Sequence, residues 1–365
     1  MAWNWQHKNW PRFEYDETLF QESESLFLLQ SGMFQGSVKH LNNGEITDLH
    51  IELLSQEALL TSQIEGEILN RDSIQSSIRK AFGLQANRQR IPPAEYGISE
   101  VMVDVYRQFD RDLTHEMLCH WHALLTNGRK DLRCMGEYRN HEDPMQIVSG
   151  PIGRETVHFE AVPSHQVKSE MNSFIEWFNH SKDTLGKRYP LVRASIAHLY
   201  FESIHPFEDG NGRLGRALVE KALSQNAQMP NLLGLSTAIE ANRKDYYHYL
   251  KTSSQSLEIN PWIDYFSKVI LEAQKLSQSM INFIIAKAQF YHRYNDQLNS
   301  RQQVVLARIF QEGLNGFKGG LSAENYIRIA KTSASTATRD LQALLELGAI
   351  RKTGERKGTR YFPNL

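Results

Sequence analysis

The chain has 365 residues, room for two or three domains, and 41% of them are hydrophobic, an ordinary share for a packed globular protein. Its 41 Lys and Arg against 42 Asp and Glu leave a net charge of −1, which excludes a global field that would draw the whole chain to nucleic acid or membrane. Two cysteines, Cys119 and Cys134, exclude a disulfide framework, and neither a signal-peptide core nor an apolar run of roughly 18–20 residues is present, so the expectation is a cytoplasmic protein with no membrane partner.

Trp3 and Trp5 alternate and are followed by Trp10, Phe13 and Tyr15, which fits a short strand or an extended arm packed on the body. From Glu45 to Lys80 the spacing is helical, with a stripe of Leu53, Leu54, Ala58, Leu59 and Ser62. Gly66 weakens that helix by about 1 kcal/mol relative to alanine. Asn70-Arg71-Asp72 reads as a break, with Asp72 as the N-cap of a helix Ser73–Phe82. Gln85–Pro93 is polar, ends in Pro-Pro, and reads as a connector. Glu95–Phe109 is helical through Ile98, Val101, Met102, Val105 and Tyr106. Thr114 caps a helix His115–Leu125 that Asn127-Gly128 stops. Its histidines do not suit a helical zinc pair, because His115 and His120 point about 140° apart at 3.6 residues per turn. Arg133–Pro163 reads as two short strands, Gln146–Val148 and Val157–Phe159, around a Gly/Pro turn. Ser164–Asn179 is amphipathic, and Pro190 opens the helix that delivers His205.

Ser203–Arg216 reads S-I-H-P-F-E-D-G-N-G-R-L-G-R. Its glycines free backbone N–H groups to approach phosphate oxygens, and a helix starting there (read as Leu214–Gln225) adds its positive end. Arg213 and Arg216 share a helix face. Asp209 is a hard oxygen ligand suited to magnesium, and His205 supplies an imidazole that can serve as a base. The residues alone therefore point to a phosphate site with a base beside it. Gly210, Gly212 and Gly215 also spell G-x-G-x-x-G, but a dinucleotide fold needs a strand before it and an acid about 20 residues on, where Leu235 and Ser236 stand. The Lys-Ser/Thr of a Walker A loop is absent.

Leu235–Thr252 is read as helical, with Asn242 and Tyr246 at i, i+4, and Trp262–Tyr291 as one or two long helices. Arg301–Gln311, Ser322–Ala330 and Ser333–Leu347 read as three helices, followed by a hairpin around a Gly-rich turn. This resembles a winged helix-turn-helix domain, with Ser335, Thr338 and Arg339 exposed and Arg351, Lys352, Arg356, Lys357 and Arg360 making the wing basic. Such a module either contacts DNA by neutralising phosphates or serves protein interaction and dimerisation.

H-P-F-x-D-G-N-G-R-x-x-R, His205 to Arg216, matches the signature of Fic (Fido) proteins at every specified position. Thr61-Ser62-Gln63-Ile64-Glu65-Gly66 resembles the inhibitory motif of the subclass whose inhibitory helix precedes the Fic core. The resemblance implies a mainly α fold: a Fic helical core with a small β-hairpin flap, an N-terminal helical segment and the C-terminal winged domain. The corresponding boundaries are 1–90, 91–290 and 295–365. It implies a protein adenylyltransferase that moves AMP from ATP to a Ser, Thr or Tyr hydroxyl. His205 is then the general base and Asp209 the Mg2+ ligand. Gly210, Asn211, Gly212, Arg213, Leu214, Gly215, Arg216 and Asn242 bind the nucleotide, with Tyr246 and Tyr247 as weaker candidates, and Phe207 anchors the loop. Glu65 and Thr61 hold the site off by engaging Arg216. A target protein docks at the flap, residues 145–159, alongside self-modification; a homodimer, and DNA binding through 299–365, remain open. Removal of AMP at the same site and a DNA-binding regulator are the alternative readings.

Overall fold

The computed structural model describes residues 2–39, 41–85, 90–149, 156–313, 316–317 and 319–365. The chain is mainly helical and divides into two compact units, Met1–Gly36 with His50–Ser277, and Ser37–Leu49 with Gln278–Leu365. No described helix is long and apolar enough to cross a membrane.

The first unit is organised on α8 (Pro190–Ile204) and α9 (Asn211–Ala227). Every residue of α8 is buried, so it is enclosed on all sides instead of presenting one apolar stripe. Pro190 sits in its first turn, where its missing N–H costs nothing. No side chain of its own caps this end. Glu24, from α1 (Gln21–Val38), accepts from Leu191 N and Val192 N at 3.1 and 3.0 Å. Burial lifts the Glu24 carboxyl to about 7 despite those two hydrogen bonds. Arg193 is a second buried polar staple. Its guanidinium donates to Ser181 Oγ, Ala222 O, Phe178 O and Gln225 Oε1, so the buried charge is spread over four hydrogen bonds to neutral oxygens.

Around this pair lie α2 (Asn43–Ile64), α3 (Arg71–Ala81), α4 (Pro93–Arg107), α5 (His115–Leu125), α6 (Ser164–Ser181), α7 (Leu185–Arg188), α10 (Leu235–Ala241) and α11 (Arg243–Ser253). A hairpin, β1 (Gln146–Ser149) with antiparallel β2 (Thr156–Glu160), registers Ile147 on Phe159 and Val148 on Val157 across a bulge. The turn expected at 150–155 and most of the connector at 86–89 lie outside the described residues. The last long helix, α12 (Asn260–Tyr294), is a single element.

Four local readings are corrected. Asn70, not Asp72, caps α3, because its Oδ1 reaches Ser73 N at 2.9 Å and the helix begins at Arg71. Trp3 and Trp5 form no strand; Asn4–Gln6 is a 3-10 turn, and α1 follows at Gln21 where no helix was expected. α9 starts at Asn211, three residues before Leu214, because Gly210 takes φ +80° and closes the turn ahead of it. The Leu235–Thr252 helix breaks at Asn242, whose φ of −133° ends α10.

In the second unit, α13 (Ser300–Gln311), α14 (Ala323–Ala330) and α15 (Ala334–Glu346) precede an antiparallel hairpin, β3 (Ile350–Thr353) with β4 (Arg360–Pro363). Val305, Leu306, Tyr326, Leu341, Leu344 and Ile350 share its core. Asp340 ties the helices together, accepting from Arg301 Nε at 2.8 Å, Asn299 Nδ2 at 3.0 Å and Tyr326 OH at 3.1 Å.

Candidate active site

α8 ends at His205, which takes left-handed angles of φ 51° and ψ 61° while its N–H still donates to Phe201 O at 2.9 Å. Pro206 has no N–H to continue the helix. The His205 carbonyl accepts from Arg139 Nε at 2.8 Å. The same buried guanidinium also donates to Ser164 Oγ, Ile204 O and Val162 O. Arg139 thus pins the turn at the histidine to the chain leaving the hairpin, and burial lowers its pKa to about 10. Phe207 anchors the loop as expected, fully buried and stacked on His122 at 4.1 Å. Burial holds that imidazole down to about 4, so it is neutral and accepts from Gly136 N at 3.0 Å.

Asn211 was expected at the phosphates. Its amide instead brackets the loop, accepting from Phe207 N at 3.0 Å and donating to Phe207 O at 2.8 Å. Leu214 is fully buried, and a Cβ on Gly215 would meet Glu202 and His198 at 2.7–2.9 Å, so both face the core. Asn242 is exposed at the α10–α11 junction. Tyr246 is buried with its hydroxyl 2.8 Å from His198 Nε2, while Tyr247 donates to Ile64 O at 3.2 Å and so abuts the end of α2.

The two arginines converge at the start of α9. Arg216 is 1% exposed; its Nε donates to Thr61 Oγ1 at 2.7 Å, and its Nη2 to Thr61 O at 2.9 Å and Glu65 Oε1 at 2.8 Å. Burial disfavours its charge, but the Glu65 and Glu202 carboxylates outweigh that and its pKa is raised. The Glu65 carboxylate lies so close over Gly212 that a Cβ there would collide with it. It therefore occupies space directly above the first turn of α9, where backbone N–H groups have no partner within the helix and attract anions. Arg213 donates to Glu67 Oε2 at 2.6 Å and lies 3.3 Å from Asp209 Oδ1, and Arg129 Nη1 is 2.6 Å from Asp209 Oδ2. Burial works to raise the Asp209 carboxyl, but the two guanidiniums and Gly210 N hold it below the usual range.

Sequence reasoning missed Glu67, Arg129, Arg139 and Glu202. Glu202, one turn before His205, is 8% exposed with Oε2 3.6 Å from His205 Nδ1, beyond hydrogen-bond range but close enough to pair with an imidazolium once one forms. Burial alone would raise its carboxyl; His205, His198 and Arg216 overcome this and keep it ionised. A glutamate at i−3 to a histidine on a buried helix end was the available signal.

The N-terminal arm reaches this region. Trp3 packs edge-on to Phe159, which lies 5.8 Å from the His205 ring. Trp5 Nε1 donates to Glu160 O, and Asn4 Nδ2 to Ser203 Oγ, both at 2.8 Å. The arm thus buttresses the base of the hairpin and the last turn of α8. Trp5→Phe keeps the ring and loses the donor. With one hydrogen bond worth about 1 kcal/mol, amide hydrogen exchange in 156–160 should quicken about three- to tenfold. Exchange at the wild-type rate would mean that the arm does not hold the hairpin.

The model of the Fic/DOC family matches residues 112–223, the stretch that holds α8 and the start of α9. Over that stretch the chain is similar to Fic domains. A second family model, described as a domain of unknown function (DUF4172), matches residues 3–84, the segment that holds both the arm and Glu65. Protein adenylyltransferase fic-1 of Caenorhabditis elegans is 30% identical over 110 residues, 30% of this chain and 20% of that protein. The Caenorhabditis briggsae protein of the same name is 29% identical over 129 residues, 34% of this chain and 24% of its own length. The chain thus spans about a quarter or less of these curated relatives. A Fic family protein from Desulfovibrio desulfuricans G20 shares the fold, with a TM-score of 0.54 at 20% identity, covering 97% of this chain and 98% of that one.

Proposed function

We propose that this chain transfers AMP from ATP to a Ser, Thr or Tyr hydroxyl of a protein, and that Glu65 holds the reaction back. The observation that carries the proposal is the convergence of Arg213 and Arg216 on the N-terminus of α9 beside His205. Arg213 Nε and Arg216 Nη1 are buried with no acceptor among the described residues, which suits an incoming polyphosphate. The relatives named protein adenylyltransferase support the choice of nucleotide and group.

His205 takes the proton from the target hydroxyl as its oxygen bonds to the α-phosphorus. The bridging bond from that phosphorus to the β-phosphate oxygen breaks, and pyrophosphate leaves. Glu202 stabilises the imidazolium that results. Arg213 and Arg216 bind the outer phosphates, and the backbone N–H of Gly212 takes up developing charge, that of Gly210 being held by Asp209 Oδ1 at 2.6 Å. Asp209 fits a Mg2+ site that shares its ligands with phosphates and water, once Arg129 turns away; the ion would neutralise phosphate charge. The exposed Ile147, Val148 and Val157 of the hairpin offer a strand edge on which a target segment, or a segment of another copy, can lie. Intact mass after incubation with ATP and Mg2+ should show the chain heavier by one AMP. Failure of any copy to gain that mass, with the Glu65→Gly variant equally inert, contradicts the proposal.

Glu67 adds a second hold, on Arg213. Its acid is about as exposed as Glu65, 30% against 28%, but Arg213 keeps Asp209 as a second anionic partner at 3.3 Å, so the release of Glu67 is worth less than that of Glu65. Glu67→Gln should tighten ATP binding about two- to fivefold by calorimetry; an unchanged affinity would make Glu67 a surface partner only.

A further inference from the structure

Residues 299–365 contain 11 Lys and Arg against five Asp and Glu, in a chain whose net charge is −1. The cationic charge is therefore concentrated in this segment, and the rest of the chain is acidic. AMP transfer needs nothing of this segregation.

The fold presents the charge in a specific way. In α15, Ala337, Asp340, Leu341 and Leu344 are buried. Ser335, Thr338, Arg339 and Gln342, at i, i+3, i+4 and i+7, form one exposed stripe. Hydroxyl, guanidinium and amide groups on one helix face are those that hydrogen-bond base edges in a major groove. A protein-docking face would instead present aromatic or aliphatic anchors at its centre. The helix is rigidly set. Ser333 caps it by accepting from Thr336 N, and the Arg301–Asp340 pair locks its inner face to α13. Beside it, Leu321 and Tyr361 exchange both backbone hydrogen bonds, at 3.0 and 2.9 Å, so the β3–β4 hairpin is tied back to the segment preceding α14. Arg351 and Lys352 on β3 and Arg356 at the tip are exposed, as are Arg328 and Lys331 at the end of α14. The side chain of Lys357 lies outside the described residues. Of the five acids, Asp340 is buried, Glu312 pairs with Arg308, Glu346 accepts from Gln342, and Glu324 and Glu355 are exposed, leaving the cations in excess.

We propose that this face binds double-stranded DNA, with α15 in the major groove and the hairpin cations on phosphates. Helix, turn and helix in α14–α15 followed by a basic hairpin is a docking geometry for such a duplex.

The test uses the full chain and a fluorescent mixed-sequence duplex, read by anisotropy across a salt series. Three hairpin cations on phosphates, Arg351, Lys352 and Arg356, give a slope of log affinity against log salt of about −2.7, so affinity falls about fortyfold between about 50 and 200 mM. Arg356→Ala and Lys352→Ala should each flatten the slope by about one with melting unchanged, whereas Lys268→Ala, an exposed lysine of the first unit, should leave it as it is. No binding at the low salt, a slope that ignores the Arg356 and Lys352 variants, or tighter binding to single strands of the same sequence would each overturn the proposal. The experiment needs no ATP, so its outcome is independent of the transfer reaction.

Discussion

Glu65→Gly should raise AMP transfer by about ten- to a hundredfold. The Glu65–Arg216 contact is a charge-assisted hydrogen bond of 2.8 Å to a guanidinium that is 1% exposed. Such bonds contribute about 1.5–3 kcal/mol, and each 1.4 kcal/mol is a factor of ten in an equilibrium. Two effects add in the same direction. Arg216 loses its competing anion, and the space over Gly212 that the carboxylate fills is opened to a phosphate. Thr61 remains on Arg216 through its hydroxyl and carbonyl, so the arginine keeps its place when Glu65 is gone. The gain should therefore appear in both ATP affinity and transfer rate. If the variant binds ATP as the wild type does, the carboxylate is not what closes the site.

Removing the His205 imidazole should lower transfer by about a hundred- to ten-thousandfold, the range that a general base contributes, with ATP binding kept. The substitution is best made as His205→Asn. The position has φ 51°, and asparagine enters left-handed angles with less strain than alanine. ATP affinity separates the two functions of the loop, because Arg213 and Arg216 hold the phosphates and His205 moves the proton. An Asn variant that binds ATP in the Glu65→Gly background but does not transfer AMP fits the assignment. One that transfers at an undiminished rate removes His205 from the chemistry.

The centre of the site was legible in the sequence because it is local. Fourteen consecutive residues carry the helix end, the turn and the next helix start, and their spacing alone places Arg213 and Arg216 on one face. Apart from Glu202, whose signal was local, the missed site residues depended on distant partners. Glu67 meets a residue 146 positions away, Arg129 one 80 away, and Arg139 one 66 away, and no local pattern marks such pairs. Asn242 was read inside one helix because helical periodicity continued across it, whereas it stands at the break between α10 and α11. α1 was missed for a related reason: Leu26, Leu28, Leu29 and Met33 are exposed, and of its 18 residues only Glu24 and Phe27 are buried, so it shows no apolar stripe. Thr61 and Glu65 were readable only by resemblance, since their pattern is common on ordinary helices. Their contacts with Arg216 turn that resemblance into a physical contact.

The most direct measurement compares ATP labelled on the α-phosphate with ATP labelled on the γ-phosphate, supplied with Mg2+ to the wild-type, Glu65→Gly and Glu65→Gly/His205→Asn chains. AMP transfer under the Glu65 hold predicts label on protein from the α-phosphate only, weak in the wild type, strong in Glu65→Gly and lost in the double variant. Label arriving from the γ-phosphate, or α-label no stronger without Glu65 than with it, would contradict it.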